Sequence, residues 1–450
     1  MANQIRPQKR FKIVPSQSGK DEPPTLEVSA QDLSKPKSKK EERGLDNVRE
    51  MGFETVKSLT EKYILDTYNR YPIAFRYGVG DKLYDLENRE YIDFNSGIAV
   101  TNLGHGEADI IEAVRTQADK LFHTSNLFYS EEQAKLAEVI IENSFPGKVF
   151  FCNSGTEANE AAFKLMRRHG INKKIRKPVI LALEGSFHGR TVSSLTLTGQ
   201  DSMREGFGEL VTGIDYVTPN NEESLVEMFE KYAGSVCGLI VEPILGEGGV
   251  KPLTQKFVNL ARKITEETDS IFVFDEIQTG IGRTGKLFCF EHFGIAPDAV
   301  TLAKALASGF PMGAMIVSKE FEKVLGKGMH GSTFGGNHLA CAVAYETFRV
   351  ILTREILKNV EEVSEYFFGR LNSLKQKCKL ITDVRGIGLH IGVELNVPSR
   401  PIVETLLTKG LVANATAKNT IRIIPPIIIS METAEEGLDI LEKVLMEHHG

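Results

Sequence analysis

The chain has 450 residues, enough for two domains around a large core, with 41% hydrophobic and 25% charged residues. A net charge of −6 gives no general pull toward nucleic acid. No apolar run approaches the roughly eighteen residues of a membrane span, so none is expected. Five widely spaced cysteines without a Cys-x-x-Cys pattern, and ten histidines without ligand spacing, argue against a disulfide framework or a metal site. A reducing, cytoplasmic setting is expected.

Residues 1–50 carry Pro7, Pro15, Pro23, Pro24 and Pro36 among polar residues. Such a segment buries too little apolar surface to offset ordering, and it is predicted to be a disordered extension. Its basic run Ser34–Lys40 reads as a solvated tail. Helical spacing follows over 51–70. Segments 81–85 and 89–94 alternate around Glu87-Asn88, as in a hairpin. Amphipathic helices are predicted over 108–121 and 130–143.

From about 148 to 320, apolar runs alternate with helical patterns. Strands are predicted at 148–152, 178–183, 237–242, 271–275, 298–302 and 312–317. Such alternation implies a mainly parallel sheet with helices on both faces, and ligands of such sheets sit at the carboxyl ends of the strands. A helix over 337–351 leaves this domain. Helices and strands (388–395, 421–424) then suggest a smaller α+β domain. The division expected is 51–105 and 351–450 for the small domain, and 106–350 for the large one.

Three strand ends carry chemistry. Lys304 follows the apolar run Ala299-Val300-Thr301-Leu302, where desolvation would free its amine as a nucleophile. A lysine there equally suits a strand cap that reaches water. Asp275 ends Ile271-Phe272-Val273-Phe274, and a buried carboxylate needs a cationic partner, for which a protonated pyridine nitrogen would serve. Capping the next turn is the plainer role. Val149-Phe150-Phe151 runs into Ser154-Gly155-Thr156 and a helical pattern. That helix N-terminus suits a phosphate, or is only a capped helix. Phosphate cradle, acid and lysine in this order match the three attachments of pyridoxal 5′-phosphate.

Over about residues 60–448 the chain resembles the class III, fold-type I aminotransferases. The likeness is carried by Ser96-Gly97-Ile98-Ala99-Val100, His123–Tyr129, Ser154-Gly155-Thr156-Glu157-Ala158-Asn159, Phe187-His188-Gly189-Arg190 and Glu242-Pro243 with Gly246-Glu247-Gly248-Gly249. Phe274–Gly280, Lys304, Gly331–Asn337 and Arg422 with Pro425-Pro426 complete it. Within the class it is most similar to the acetylornithine branch. The resemblance implies a seven-stranded, mainly parallel sheet in the large domain, a smaller α+β domain, and a homodimer with shared sites.

It further implies Lys304 and Asp275 as the catalytic pair. Gly155 and Thr156 would hold the phosphate. Phe187 and Ile277 would take the two ring faces, with Glu276 and Gln278 beside them. Thr333 would reach the phosphate of the neighbouring subunit, and Ser332 would stand near the substrate. Arg190 is implied for the carboxylate far from the reacting carbon, Arg422 for an α-carboxylate, and Glu247 as the group that neutralises Arg422 when it is idle. Ordinary ion pairs are the alternative for all three. The reaction implied joins N2-acetylornithine and 2-oxoglutarate. Ornithine, succinylornithine and 4-aminobutyrate are competing donors, and Ile98 stands where ornithine enzymes carry a tyrosine. A catalytically inactive scaffold is the reading from outside this class, and intact Lys304 and Asp275 oppose it.

Overall fold

The computed structural model describes residues 51–449, so the predicted extension 1–50 lies outside the described residues. Seven strands form the main sheet: β1 (Gly147–Cys152), β2 (Val179–Leu183), β3 (Ile214–Val217), β4 (Val236–Val241), β5 (Ile271–Asp275), β6 (Ala299–Leu302) and β7 (Gly313–Ser318). Their spatial order is β1-β7-β6-β5-β4-β2-β3. Only β7 runs against its neighbours, β6 and β1. Every residue of β2, β4, β5 and β6 is buried. That burial on both faces is why these strands read as unbroken apolar runs. Alternation remains visible within them: Phe272 and Phe274 pack into one core cluster, Ile271 and Val273 into another across the sheet. The edge strand β3 was not anticipated. It is short and carries Asp215, which takes bonds from Lys231 and Tyr232.

The helix Gly155–Asn172 is capped by Ser154, whose side chain accepts from the Glu157 amide, and lays Ala158, Ala161, Ala162 and Met166 against the sheet. The approach is close: a Cβ on Gly238 of β4 would lie 2.2 Å from Met166 Sδ. A larger residue there would push the helix, and the cavity wall it begins, off the sheet.

Three further strands, Phe75–Val79, Lys82–Asp85 and Glu90–Asp93, are joined by Leu411–Val412, which pairs parallel to the last of them. The predicted hairpin is present, with Asn88 at φ +61° in its turn. A third sheet takes the order Ile381–Ile387, His390–Leu395, Thr420–Ile423, Asn414–Thr416. The first of these strands was not foreseen. The helix expected over 51–70 ends at Tyr63, where Ile64 turns extended. None of its residues is buried, so no packing extends it, and Pro72 disfavours helix at Tyr71. No helix among the described residues is long and apolar enough to cross a membrane.

Candidate active site

The carboxyl ends of β1, β5 and β6 and the segments after β2 and β4 enclose a cavity of about 450 Å³. Gly155, Thr156, Phe187, Arg190, Asp275, Ile277, Gln278 and Lys304 all line it. Lys304 comes two residues after β6 ends and adopts φ +47°, a left-handed conformation that costs a lysine roughly 1–2 kcal/mol. Burial first, then the Arg422 cation, pushes its amine down to about 8, against the opposing pull of Glu247, Asp275 and Glu242.

Asp275 is 4% exposed. Its Oδ2 accepts from Asn159 Nδ2 and His188 Nδ1, both at 2.7 Å, and its Oδ1 from the Ile277 amide at 3.1 Å. Asn159 is itself fixed: Thr301 Oγ1 donates to its Oδ1 at 2.8 Å, and its Nδ2 also reaches the His188 carbonyl. No lysine or arginine pairs with Asp275 among the described residues. Its charge is therefore oriented and left available to a cation inside the cavity.

Glu242, also on the cavity wall, accepts from the amides of Phe187 at 2.8 Å and Gly246 at 3.1 Å. Burial pushes its carboxyl up to about 7. It fastens the Phe187 turn to the turn that carries Glu247. Arg422 is 1% exposed; its Nη1 donates to Glu247 Oε1 at 2.6 Å and Gln278 Oε1 at 3.2 Å, and its Nη2 to Asn414 Oδ1 at 2.8 Å. Burial raises the Glu247 pKa, but the Arg422 guanidinium outweighs it and holds the carboxylate below its ordinary range. Arg190 is exposed at the cavity mouth, with its guanidinium 5.4 Å from the Phe187 ring centre. It has no ion-pair partner among the described residues, which leaves it open to an incoming carboxylate.

Glu276 and Ser332, expected beside the cofactor and substrate, do not line this cavity, and Thr333, expected at the neighbouring subunit's phosphate, lies off it too. Glu276 turns away, and its carboxylate accepts from the amides of Cys289 at 2.5 Å and Phe290 at 2.8 Å. Burial lifts that carboxyl to about 8. Thr333 is exposed and lies off the cavity of its own chain. Ser332 stands behind the wall, where its hydroxyl accepts from Asn153 Nδ2 at 2.9 Å and the Gly335 amide at 3.0 Å. Asn159, His188, Glu242 and Thr301 received no role from the sequence. Asn159 offered one signal, since an asparagine inside a helix is poorly suited to it unless its amide is used elsewhere.

The pattern of the class III aminotransferase family matches residues 64–445. The chain belongs to the class III aminotransferases. An acetylornithine aminotransferase of Caldanaerobacter subterraneus subsp. tengcongensis is 46% identical over 389 residues, covering 86% of this chain and 98% of its own. Among solved structures, an acetylornithine aminotransferase from Elizabethkingia anophelis aligns with TM-score 0.80 and 33% identity, over 88% of this chain and 99% of that one. An ornithine aminotransferase from Toxoplasma gondii, described with partial occupancy of PLP at its active site, aligns with TM-score 0.86 and 28% identity, over 89% and 96%.

Pyridoxal 5′-phosphate is the cofactor of this aminotransferase family, and the residues present fit it. The helix N-terminus at Gly155-Thr156 offers free amides to a phosphate. A Cβ on Gly155 would come 2.7 Å from Ile277 Cδ1, so a glycine keeps that wall open. Phe187 and Ile277 supply apolar surfaces for a flat ring, Asp275 an oriented anion for its nitrogen, and Lys304 an amine of lowered pKa.

Proposed function

We propose that this aminotransferase moves the δ-amino group of N2-acetyl-L-ornithine to 2-oxoglutarate. The products are N-acetylglutamate 5-semialdehyde and L-glutamate, a step of arginine biosynthesis. The observation that carries this reading is the pair of guanidiniums in opposite states: Arg190 without an ion-pair partner among the described residues, Arg422 buried and neutralised by Glu247 at 2.6 Å. A donor with one distal carboxylate and an amine on an uncharged carbon suits that arrangement. A dicarboxylate needs Arg422 to leave Glu247.

When bound, the cofactor supplies an electrophilic carbon for an amine and a protonated ring that takes up electrons released at the substrate carbon. Asp275, held by Asn159, His188 and the Ile277 amide, keeps the ring nitrogen protonated. Lys304 Nζ, with a pKa near 8, moves the proton at the substrate carbon that bears the amine. Phe187 and Ile277 would pack against the two faces of the ring, and Gly155 and Thr156 would bind the phosphate. Arg190 binds the distal carboxylate, and Arg422 exchanges Glu247 for an α-carboxylate. Ser332 orients Asn153 at the cavity edge.

We also propose a homodimer in which Thr333 reaches the partner's phosphate. Supporting it, the exposed Leu127, Phe128, Tyr129 and Phe334 form an apolar surface, and Asn126 bonds that loop to the carbonyls of Ser332 and Gly335. The segments 51–105 and 351–450, linked by the pairing of Leu411–Val412 with Glu90–Asp93, act in this reading as one small domain over 106–350. A cytoplasmic location goes with this role. The test is a panel of amino donors with 2-oxoglutarate as acceptor: acetylornithine, succinylornithine, ornithine and 4-aminobutyrate. A higher kcat/KM for ornithine than for acetylornithine would overturn the substrate assignment.

A further inference from the structure

Beside Arg422 stands a histidine that no step above uses. His390 begins the strand His390–Leu395 and is fully buried. Among the described residues, neither of its ring nitrogens has a hydrogen-bond partner, and Arg422 Nε has none either. Unpaired polar atoms in a core lower stability, and a chain that keeps them calls for a reason.

The register supplies one. Strands His390–Leu395 and Thr420–Ile423 are antiparallel, with Gly392 directly opposite Arg422. Side chains alternate along a strand, so His390, two residues from Gly392, lies on the face of Arg422 and diagonal to it, within reach of a long side chain. The opposing position is a glycine, which adds no side chain of its own, and the Val250 side chain packs over it. Arg283 donates to the carbonyl of Leu389, the residue just before His390. Burial, then Arg422, Arg283 and Lys304 in turn, hold the imidazole well below its ordinary pKa. It is therefore neutral at physiological pH, with one ring nitrogen free to accept.

We propose that His390 is a positioning residue for Arg422: its free ring nitrogen accepts from Arg422 Nε–H when the guanidinium releases Glu247 and turns to a substrate carboxylate. In the Glu247-bound arrangement the two groups do not bond, and Nε is idle. In the second arrangement His390 gives the arginine a defined stop, so the orphan nitrogens belong to a position used in one half of the catalytic cycle. The inference rests on the exchange of Arg422 between Glu247 and substrate stated above.

The test uses the cofactor-loaded enzyme and glutarate, a dicarboxylate that binds without reacting. His390→Leu and His390→Met should weaken glutarate binding by roughly tenfold or more in calorimetry, as expected for a lost bond to a charged group. Single-turnover reaction with acetylornithine should stay unchanged. His390→Asn or His390→Gln, which restore an acceptor oxygen near one ring nitrogen or the other, should recover glutarate affinity in at least one case. Both apolar variants should melt no lower than the parent, because two unpaired nitrogens are gone. Unchanged glutarate affinity, equal losses with acetylornithine, no amide rescue, or failure of both apolar variants to fold would each overturn the assignment. Glu247→Ala run in parallel separates the readings. If it treats glutamate and acetylornithine alike, the Arg422 exchange itself fails; if it discriminates and the His390 variants do not, only the role of His390 fails.

Discussion

Glu247→Ala isolates the Arg422 exchange in one substitution. The guanidinium is 1% exposed and Glu247 is its only carboxylate partner among the described residues, at 2.6 Å; Asn414 and Gln278 are neutral. Removing one member of a buried pair costs on the order of 3–5 kcal/mol. The Glu247 side chain is 25% exposed, so water partly replaces it, and about 2–3 kcal/mol is the fitting figure. The free variant and its acetylornithine complex both carry this cost, since Arg422 is idle in each. The glutamate complex escapes it, because the substrate's α-carboxylate takes the place of Glu247. The kcat/KM ratio should therefore move toward glutamate by roughly 30- to 150-fold, mostly as a gain for glutamate. Arg422→Ala should reverse the preference, and Arg190→Ala should weaken both halves. The assay is single-turnover conversion of each cofactor form, followed by absorbance. Equal changes for the two substrates in Glu247→Ala would refute the exchange.

Borohydride treatment of the loaded enzyme should fix the cofactor to Lys304 in peptide mapping, and Lys304→Ala should retain cofactor but lose turnover by several powers of ten; label on another lysine would exclude the assignment. Cofactor-free protein offers a second check on the same residue. Burial pushes its amine down to about 8 from an ordinary value of 10.5, so the folded chain bears a partly desolvated ammonium at pH 7, and stability rises with pH between those values as only the unfolded chain stays protonated. Lys304→Met should accordingly be more stable than the parent by about 2 kcal/mol at pH 7, after allowance for partial exposure, with the gap closing by about pH 10.5 in denaturant titrations. For the shared site, loaded protein should sediment as a dimer and Thr333→Ala should weaken cofactor retention without dissociating it; a fully active monomer would remove Thr333 from the site.

The large sheet was legible because its inner strands are buried on both faces and leave unbroken apolar runs, whereas β3, at the edge with Asp215 in it, left no such trace. That Lys304, Asp275 and Gly155-Thr156 meet at one cavity was legible because strand ends place residues there in sequence order. Glu276 shows where motif transfer overreaches. Adjacent residues of an extended chain point to opposite sides, so with Asp275 facing the cavity Glu276 must face away, as its bonds to Cys289 and Phe290 record. The support of Asp275 was illegible for another reason: Asn159 and His188 lie 116 and 87 residues away in sequence, and only the fold joins them.

Several features of the site oppose stability, and they lie close together. Lys304 holds a left-handed backbone and a desolvated amine, and among the described residues His390 leaves two nitrogens unpaired and Arg283, fully buried, finds only neutral acceptors in Leu389, Pro425, Asn102 and Ser96. Burial lowers the Arg283 pKa to about 9. These bonds tie the segment 96–102, which contributes Val100 to the cavity wall, to the turn beyond Ile424 and so to the strand that carries Arg422. A core that is buried throughout β2, β4, β5 and β6 offsets that strain.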